Sequence, residues 1–177
     1  VQIDAKGHVT SFAYDARGRE TRRTLPDGAF ESKTYDTAGR MITRVDFMGR
    51  TTAYAYDVMN RLSSRTYPDA SAVGFTYTLT GRRATVQDTR GTTSYEYDPR
   101  NRISRATDPY GRVLEYGYNA VGARTSLTAR VSGQVLTTGY TYDAAERPDL
   151  VTDPSARVYN VDFDAAGRRT QLSYPNG

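Results

Sequence analysis

The sequence predicts an all-β fold of tandem antiparallel β-hairpins forming a curved, single-layer meander sheet. Three observations carry that prediction. The composition favours strands and turns, a motif returns about every 21 residues, and the stretches between motifs alternate with period two. In 177 residues there are 15 Tyr and 15 Gly, whereas hydrophobic residues make up only 37%. Aromatic and β-branched residues fit strands and Gly fits turns. Such a chain is too aromatic and too β-branched for a disordered tail.

The same composition excludes several function classes. There is no Cys, which rules out a disulfide scaffold and Cys-based zinc sites. No apolar run approaches about 18 residues, so membrane insertion is not expected. The sequence opens at Val1 without a charged-then-apolar leader, and reads as a piece of a longer protein or a processed product. The net charge of +4 points at first to nucleic acid. However, all basic residues except Lys6 and Lys33 are Arg, and most recur at fixed places in the repeat. The basicity belongs to the scaffold, and no nucleic-acid partner is expected.

The repeat governs the rest. Tyr14-Asp15-Ala16-Arg17-Gly18-Arg19 returns as Tyr35-Asp36-Thr37-Ala38-Gly39-Arg40 and as Tyr56-Asp57-Val58-Met59-Asn60-Arg61. Later copies begin at Tyr77 (with Gly81 and Arg82), Tyr97 (with Asp98, Asn101 and Arg102) and Tyr118 (with Gly122). The last two begin at Tyr142 (with Asp143 and Arg147) and Phe163 (with Asp164, Gly167 and Arg168). Successive steps are 21, 21, 21, 20, 21, 24 and 21 residues. Thr78 and Asn119 replace the Asp, Ala123 the Arg, and Glu146 the Gly.

Each copy has a physical reading. The Asp stands where a type I turn uses a side-chain acceptor, and the Gly stands where the chain needs φ > 0. Together they make a three-residue hairpin loop with a G1 bulge. Asn60 and Asn101 fit the Gly place because Asn tolerates the left-handed region. Glu146 does not fit, so its hairpin is expected to be irregular. A second turn family lies half a repeat away. It includes Asp4-Ala5-Lys6-Gly7, Asp46-Phe47-Met48-Gly49, Asp88-Thr89-Arg90-Gly91 and Asp108-Pro109-Tyr110-Gly111, with Pro26-Asp27-Gly28 and Pro175-Asn176-Gly177 as variants. Turns every 10 or 11 residues leave about sixteen strands of about seven residues.

Alternation then sorts the faces. Two residues before each repeat aromatic stand Phe12, Lys33, Tyr54, Phe75, Tyr95, Tyr116, Tyr140 and Val161. One face is therefore ring-bearing. The other, through Ala13, Thr34, Ala55, Thr76, Glu96, Gly117, Thr141 and Asp162, is slight or polar. Shielding of the rings from water favours a concave ring-bearing face, whereas crowding on the inside of a curve favours the slight one. Asp15 is expected opposite Arg19, and Asp36 opposite Arg40.

The motif Tyr-Asp-x-x-Gly-Arg at this period, with Pro-Asp-Gly or Asp-x-x-Gly between copies, resembles the YD-repeat of the Rhs family. That family comprises bacterial polymorphic toxins, shell components of insecticidal toxin complexes, and teneurins. The resemblance spans Asp4 to Gly177, and implies one repeat region over residues 1–177 with no separate toxin domain. It further implies a segment of a hollow β-shell that encloses a toxic C-terminal polypeptide. Implied partners are the remaining shell repeats and the enclosed toxin domain, in a secreted or cell-surface toxin-delivery protein. Self-association through exposed sheet edges is also expected. Asp108-Pro109-Tyr110-Gly111 matches the first half of the family's core motif, but continues as Arg112-Val113-Leu114 and reads as an ordinary turn.

No catalytic, metal or cofactor site is expected. His8 has no second His or Cys to act with, and reads as an exposed strand residue. The turn carboxylates stand one per hairpin instead of clustering as calcium ligands do. No base is present to activate Ser or Thr. Two functional readings follow: a non-catalytic wall segment, or a carbohydrate-binding repeat module that stacks sugars on its rings.

Overall fold

A computed structural model describes residues 1–176. The Gly177 end of the Pro175-Asn176-Gly177 turn lies outside the described residues. Among these residues there are seventeen strands and no helix. They are β1 (Gln2–Ile3), β2 (Val9–Tyr14), β3 (Glu20–Thr24), β4 (Phe30–Tyr35), β5 (Met41–Val45), β6 (Thr51–Tyr56), β7 (Leu62–Thr66) and β8 (Ala72–Tyr77), then β9 (Arg83–Asp88), β10 (Gly91–Tyr97), β11 (Ile103–Thr107), β12 (Val113–Tyr118), β13 (Arg124–Val131), β14 (Gln134–Tyr142), β15 (Pro148–Thr152), β16 (Val158–Phe163) and β17 (Arg169–Ser173).

The chain forms two compact units. The first comprises Val1–Thr76 with Val86–Gly91, the second Tyr77–Thr85 and the residues from Thr92 onward. In the first, β1 to β8 pair antiparallel, each with the next. In the second, β10 to β17 do the same. Each unit is thus the meander of antiparallel hairpins that the repeat predicts. Most strands are five or six residues long instead of seven, because the whole Asp-to-Arg loop stays outside the ladder.

The loop hydrogen bonds explain the motif. Asp15 N donates to Arg19 O at 3.0 Å, and Gly18 N donates to Asp15 O at 3.0 Å. The residue in the Gly place has positive φ throughout: 75° at Gly18, 63° at Asn60 and 61° at Asn101. Glu146 overturns its expectation. At φ 61° it closes a regular loop, with Glu146 N on Asp143 O at 3.0 Å and Asp143 N on Arg147 O at 2.9 Å. The extra residues of the 24-residue step lie in β13 and β14 instead, which are longer and joined by a two-residue turn at Ser132 and Gly133.

A register shift recurs just before the repeat aromatic. Tyr14 pairs with Glu20, but Ala13 pairs with Arg22, which leaves Thr21 without a partner. The same shift precedes Tyr35, Tyr56, Tyr97, Tyr118, Tyr142 and Phe163. Such a bulge moves every later side chain of the returning strand by one place.

In the first unit the shift brings charges onto the ring-bearing face. Phe12 faces Arg23, Arg23 faces Glu31, Lys33 faces Arg44, and Tyr54 faces Arg65. That face is therefore ionic as well as aromatic. In the second unit the same places hold Tyr95 on Ala106, Tyr116 on Leu127, Tyr140 on Val151 and Val161 on Leu172. Among the described residues only Val113 and Glu31 are buried. Each unit is a single layer without a separate hydrophobic core.

Candidate functional site: the clamp between repeats

Each turn Asp satisfies the loop that contains it. Asp15 Oδ1 accepts the backbone N–H of Arg17 at 2.9 Å and of Arg19 at 3.0 Å, while Oδ2 accepts Arg19 Nε at 2.7 Å. Asp36 does the same for Arg40, with 2.9 Å to the amide and 2.7 Å to Nε. Equivalent Asp–Arg pairs join Asp57 to Arg61, Asp98 to Arg102, Asp143 to Arg147 and Asp164 to Arg168. The Arg19 guanidinium, followed by the backbone N–H groups, holds the Asp15 carboxyl below its ordinary range. The substituted copies keep only part of this cap. Thr78 Oγ1 accepts Arg82 N at 3.1 Å. Asn119 Oδ1 accepts Gly122 N at 2.9 Å and Ala123 N at 2.8 Å.

The motif's Arg and Tyr join one hairpin to the next. Arg19 lies over the Tyr35 ring, 4.5 Å from its centroid, and its Nη1 donates to Asp36 O at 3.5 Å. Tyr35 Oη returns a hydrogen bond to Glu20 O at 2.7 Å, beside the Thr21 bulge. Arg40 and Tyr56 repeat the arrangement at 4.9 Å, with Tyr56 Oη on Met41 O at 2.8 Å. Arg102 and Tyr118 do so at 4.4 Å, with Oη on Ile103 O at 2.9 Å. Tyr97 Oη donates to Arg83 O. Arg147 covers Phe163 at 4.5 Å, where the phenyl ring has no hydroxyl to return. Where Ala123 replaces the Arg, its neighbour Arg124 covers the Tyr140 ring at 4.6 Å and its carbonyl accepts Tyr142 Oη at 2.8 Å.

The other motif residues lie at the ends of the strands and in the loops. Tyr14 and Tyr77 end β2 and β8. Gly39, Gly81, Gly122 and Gly167 hold positive φ in their turns. His8 lies after the Asp4 turn and not in a strand, where other copies carry Arg; its Nδ1 is 2.9 Å from Asp4 Oδ2. Among the described residues no three His, Asp or Glu side chains converge as a metal site would require.

Sequence reasoning missed a row of cations on the ring-bearing face. Arg23, Arg44 and Arg65 stand 21 residues apart, a spacing visible in the sequence. Glu31 Oε2 accepts Arg44 Nη2 at 2.9 Å and Nε at 3.1 Å, and Oε1 lies 4.0 Å from Arg23 Nη1. Lys33 Nζ donates to Glu20 Oε1 at 2.7 Å. Arg65 lies 5.4 Å from the Tyr54 ring centroid and 5.9 Å from that of Tyr67.

Residues 1–29 and 35–72 match the family model of the RHS repeat, and the same motif and period continue to Arg168. The chain is similar to the YD/Rhs-repeat family. Its fold is similar to the crystal structure of TcdB2-TccC3-Cdc42, with a TM-score of 0.77 and 18% identity over 96% of this chain and 11% of that one. It is also similar to TcdB2-TccC3 without its hypervariable C-terminal region, at 0.76 and 19% identity over 95% of this chain and 11% of that one. A Photorhabdus luminescens Tc holotoxin pore carrying a TccC3 mutation matches at 0.61 and 16% identity, over 97% and 12%. The chain thus spans about a tenth of the length of the chains it matches, and the likeness is one of fold. No curated protein matches its sequence.

Proposed function

We propose that this Rhs-repeat chain is a non-catalytic wall segment of a β-shell that encloses a toxic polypeptide, within a larger exported toxin-delivery protein. One observation carries the reading: the motif's polar groups are used in holding. Asp15 caps its own loop, Arg19 crosses to the next hairpin, and Tyr35 crosses back. Repeats that couple only to their neighbours build extended walls by simple addition. The fold shared with TcdB2-TccC3 structures, one of which is described as being without a hypervariable C-terminal region, supports a container with a variable cargo. In this reading its 177 residues are one repeat region of the wall, with the remaining repeats and the cargo as its partners.

Electron cryo-microscopy of the longest natural polypeptide that contains this segment tests the reading. The expected result is a hollow body with these hairpins in its wall and separate density inside. A solid or open rod of repeats with no interior overturns it. A glycan array on the same protein is expected to give no reproducible hits.

A further inference from the structure

On the ring-bearing face of the first unit, Arg65 differs from its counterparts one and two repeats earlier. Glu31 serves both Arg44 and Arg23, at 2.9 Å and 4.0 Å. One repeat on, the residue in the place of Glu31 is Thr52, which faces Arg44 as Glu31 faces Arg23. Arg65 is thereby left, among the described residues, with no carboxylate within ion-pair distance. Its guanidinium lies between Tyr54 and Tyr67, where Nη1 donates to Tyr67 Oη at 3.4 Å, while Nε, like those of Arg23 and Arg105, is buried without a hydrogen-bond partner. A guanidinium N–H in that state forgoes a charge-assisted hydrogen bond.

We infer that this face is a docking surface for an acidic polypeptide segment, one carboxylate of which pairs with Arg65. Charge complementarity selects the partner. The face carries Arg23, Lys33, Arg44 and Arg65 against Glu20 and Glu31, and a carboxylate is the anion that the row already uses. At the places of Arg23, Arg44 and Arg65, the second unit has Ala106, Leu127, Val151 and Leu172, so the surface is confined to the first. Nucleic acid fits less well, because its affinity needs a run of free cations, and Arg44 and Lys33 are already paired. The inference rests on the wall reading only for the source of the segment, which would be the enclosed polypeptide.

Binding to the 177-residue chain, followed by fluorescence anisotropy of labelled peptides, tests it. Equivalent places two strands apart are separated by about 9.6 Å, close to the roughly 9.3 Å spanned by three residues of polyproline II. The probes are therefore Glu-Pro-Pro repeats, Gln-Pro-Pro repeats of the same length, and a single-stranded oligonucleotide of equal charge. The Glu peptide is expected to bind about fivefold or more tighter than the Gln peptide, and to weaken as salt is raised. Arg65→Gln should reduce that binding by about fivefold. Thr52→Glu should reduce it as much while keeping Arg65, because the new carboxylate takes the place toward Arg65 that Glu31 holds toward Arg44. Leu127→Gln, at the matching place in the second unit, should leave it unchanged. Equal binding of the two peptides, full binding by a folded Thr52→Glu variant, or preference for the oligonucleotide overturns the inference. A shell that shields its cargo yet ignores the Glu peptide overturns this inference alone; a chain that binds the peptide but builds no shell overturns only the wall reading.

Discussion

Arg19 leaves its own hairpin to cover the ring of Tyr35 in the next, while Tyr35 donates its hydroxyl back to the carbonyl of Glu20. The two contacts run in opposite directions across one repeat boundary, so neither hairpin can rotate away without breaking both. A single-layer sheet has little core to hold it. The clamp supplies at each boundary what core packing supplies elsewhere.

The hydroxyl half of the clamp is testable in both directions. Tyr56→Phe removes the bond to Met41 O and should destabilise the chain by about 0.5–1.5 kcal/mol in urea unfolding. Phe163→Tyr should do the reverse, by up to about the same amount. In other copies the Tyr bonds to the carbonyl just after the clamp Arg, and here that carbonyl belongs to Pro148. A neutral Phe163→Tyr and a neutral Tyr56→Phe together would remove the hydroxyl from the account.

The turn glycines should not be equivalent. At Gly39 (φ 88°) an added Cβ would come 3.3 Å from Arg19 Nη1, the guanidinium seated on Tyr35, whereas at Gly49 (φ 74°) it meets nothing within 4 Å. Both Gly→Ala changes incur left-handed strain of about 1–2 kcal/mol. Gly39→Ala should lower Tm further, because it also displaces the clamp. Equal losses at the two sites would place Gly39 outside the clamp's reach.

Two turns should gain stability. Ala70 and Ala156 occupy the Gly place at φ 66° and 62°. Ala70→Gly removes the Cβ strain against a larger loss of chain entropy, for a net gain of up to about 1 kcal/mol. Thermal melts check this, and a lower Tm would show that Ala70 is unstrained.

Acid should open the sheet through its turns. The carboxyls of Asp15, Asp46, Asp88 and Asp143 are held below their ordinary value, first by the side-chain hydrogen bond from Arg19, Arg50, Arg90 and Arg147 respectively. A depressed folded pKa contributes stability above the unfolded value of about 3.9, and that contribution is lost as pH falls through the folded value. Urea midpoints should therefore be flat from neutral pH to about 5 and fall below about 4. A midpoint that holds steady to pH 2 would mean that the Asp–Arg caps contribute nothing.

The turns were legible in the sequence because each depends on local chemistry: an Asp acceptor, then Gly or Asn at positive φ. Glu146 shows the limit of that reading. The loop around it is held by Asp143 and Arg147, which keep the shape when the residue in the Gly place is unfavourable. The extra length of β13 and β14 was hidden because their Ser132-Gly133 turn carries no Asp. The cation row was hidden by the bulge at Thr21. Counting straight back from the turn places Arg22, Thr43 and Ser64 opposite Phe12, Lys33 and Tyr54, whereas the shifted register places Arg23, Arg44 and Arg65 there. Nothing local in the sequence announces a bulge whose unpaired residue varies between Thr21, Ile42 and Ser63. The clamp joins residues about 16 apart, a distance that only the hairpin register makes short.

Limited proteolysis of the longest natural polypeptide containing this segment tests the wall role most directly. The polypeptide beyond the repeats should resist cleavage while the sheet is folded, and become sensitive when Gly39→Val opens a hairpin in the first unit. Cleavage of that polypeptide at the same rate in both proteins, with the repeats themselves intact, would contradict the account.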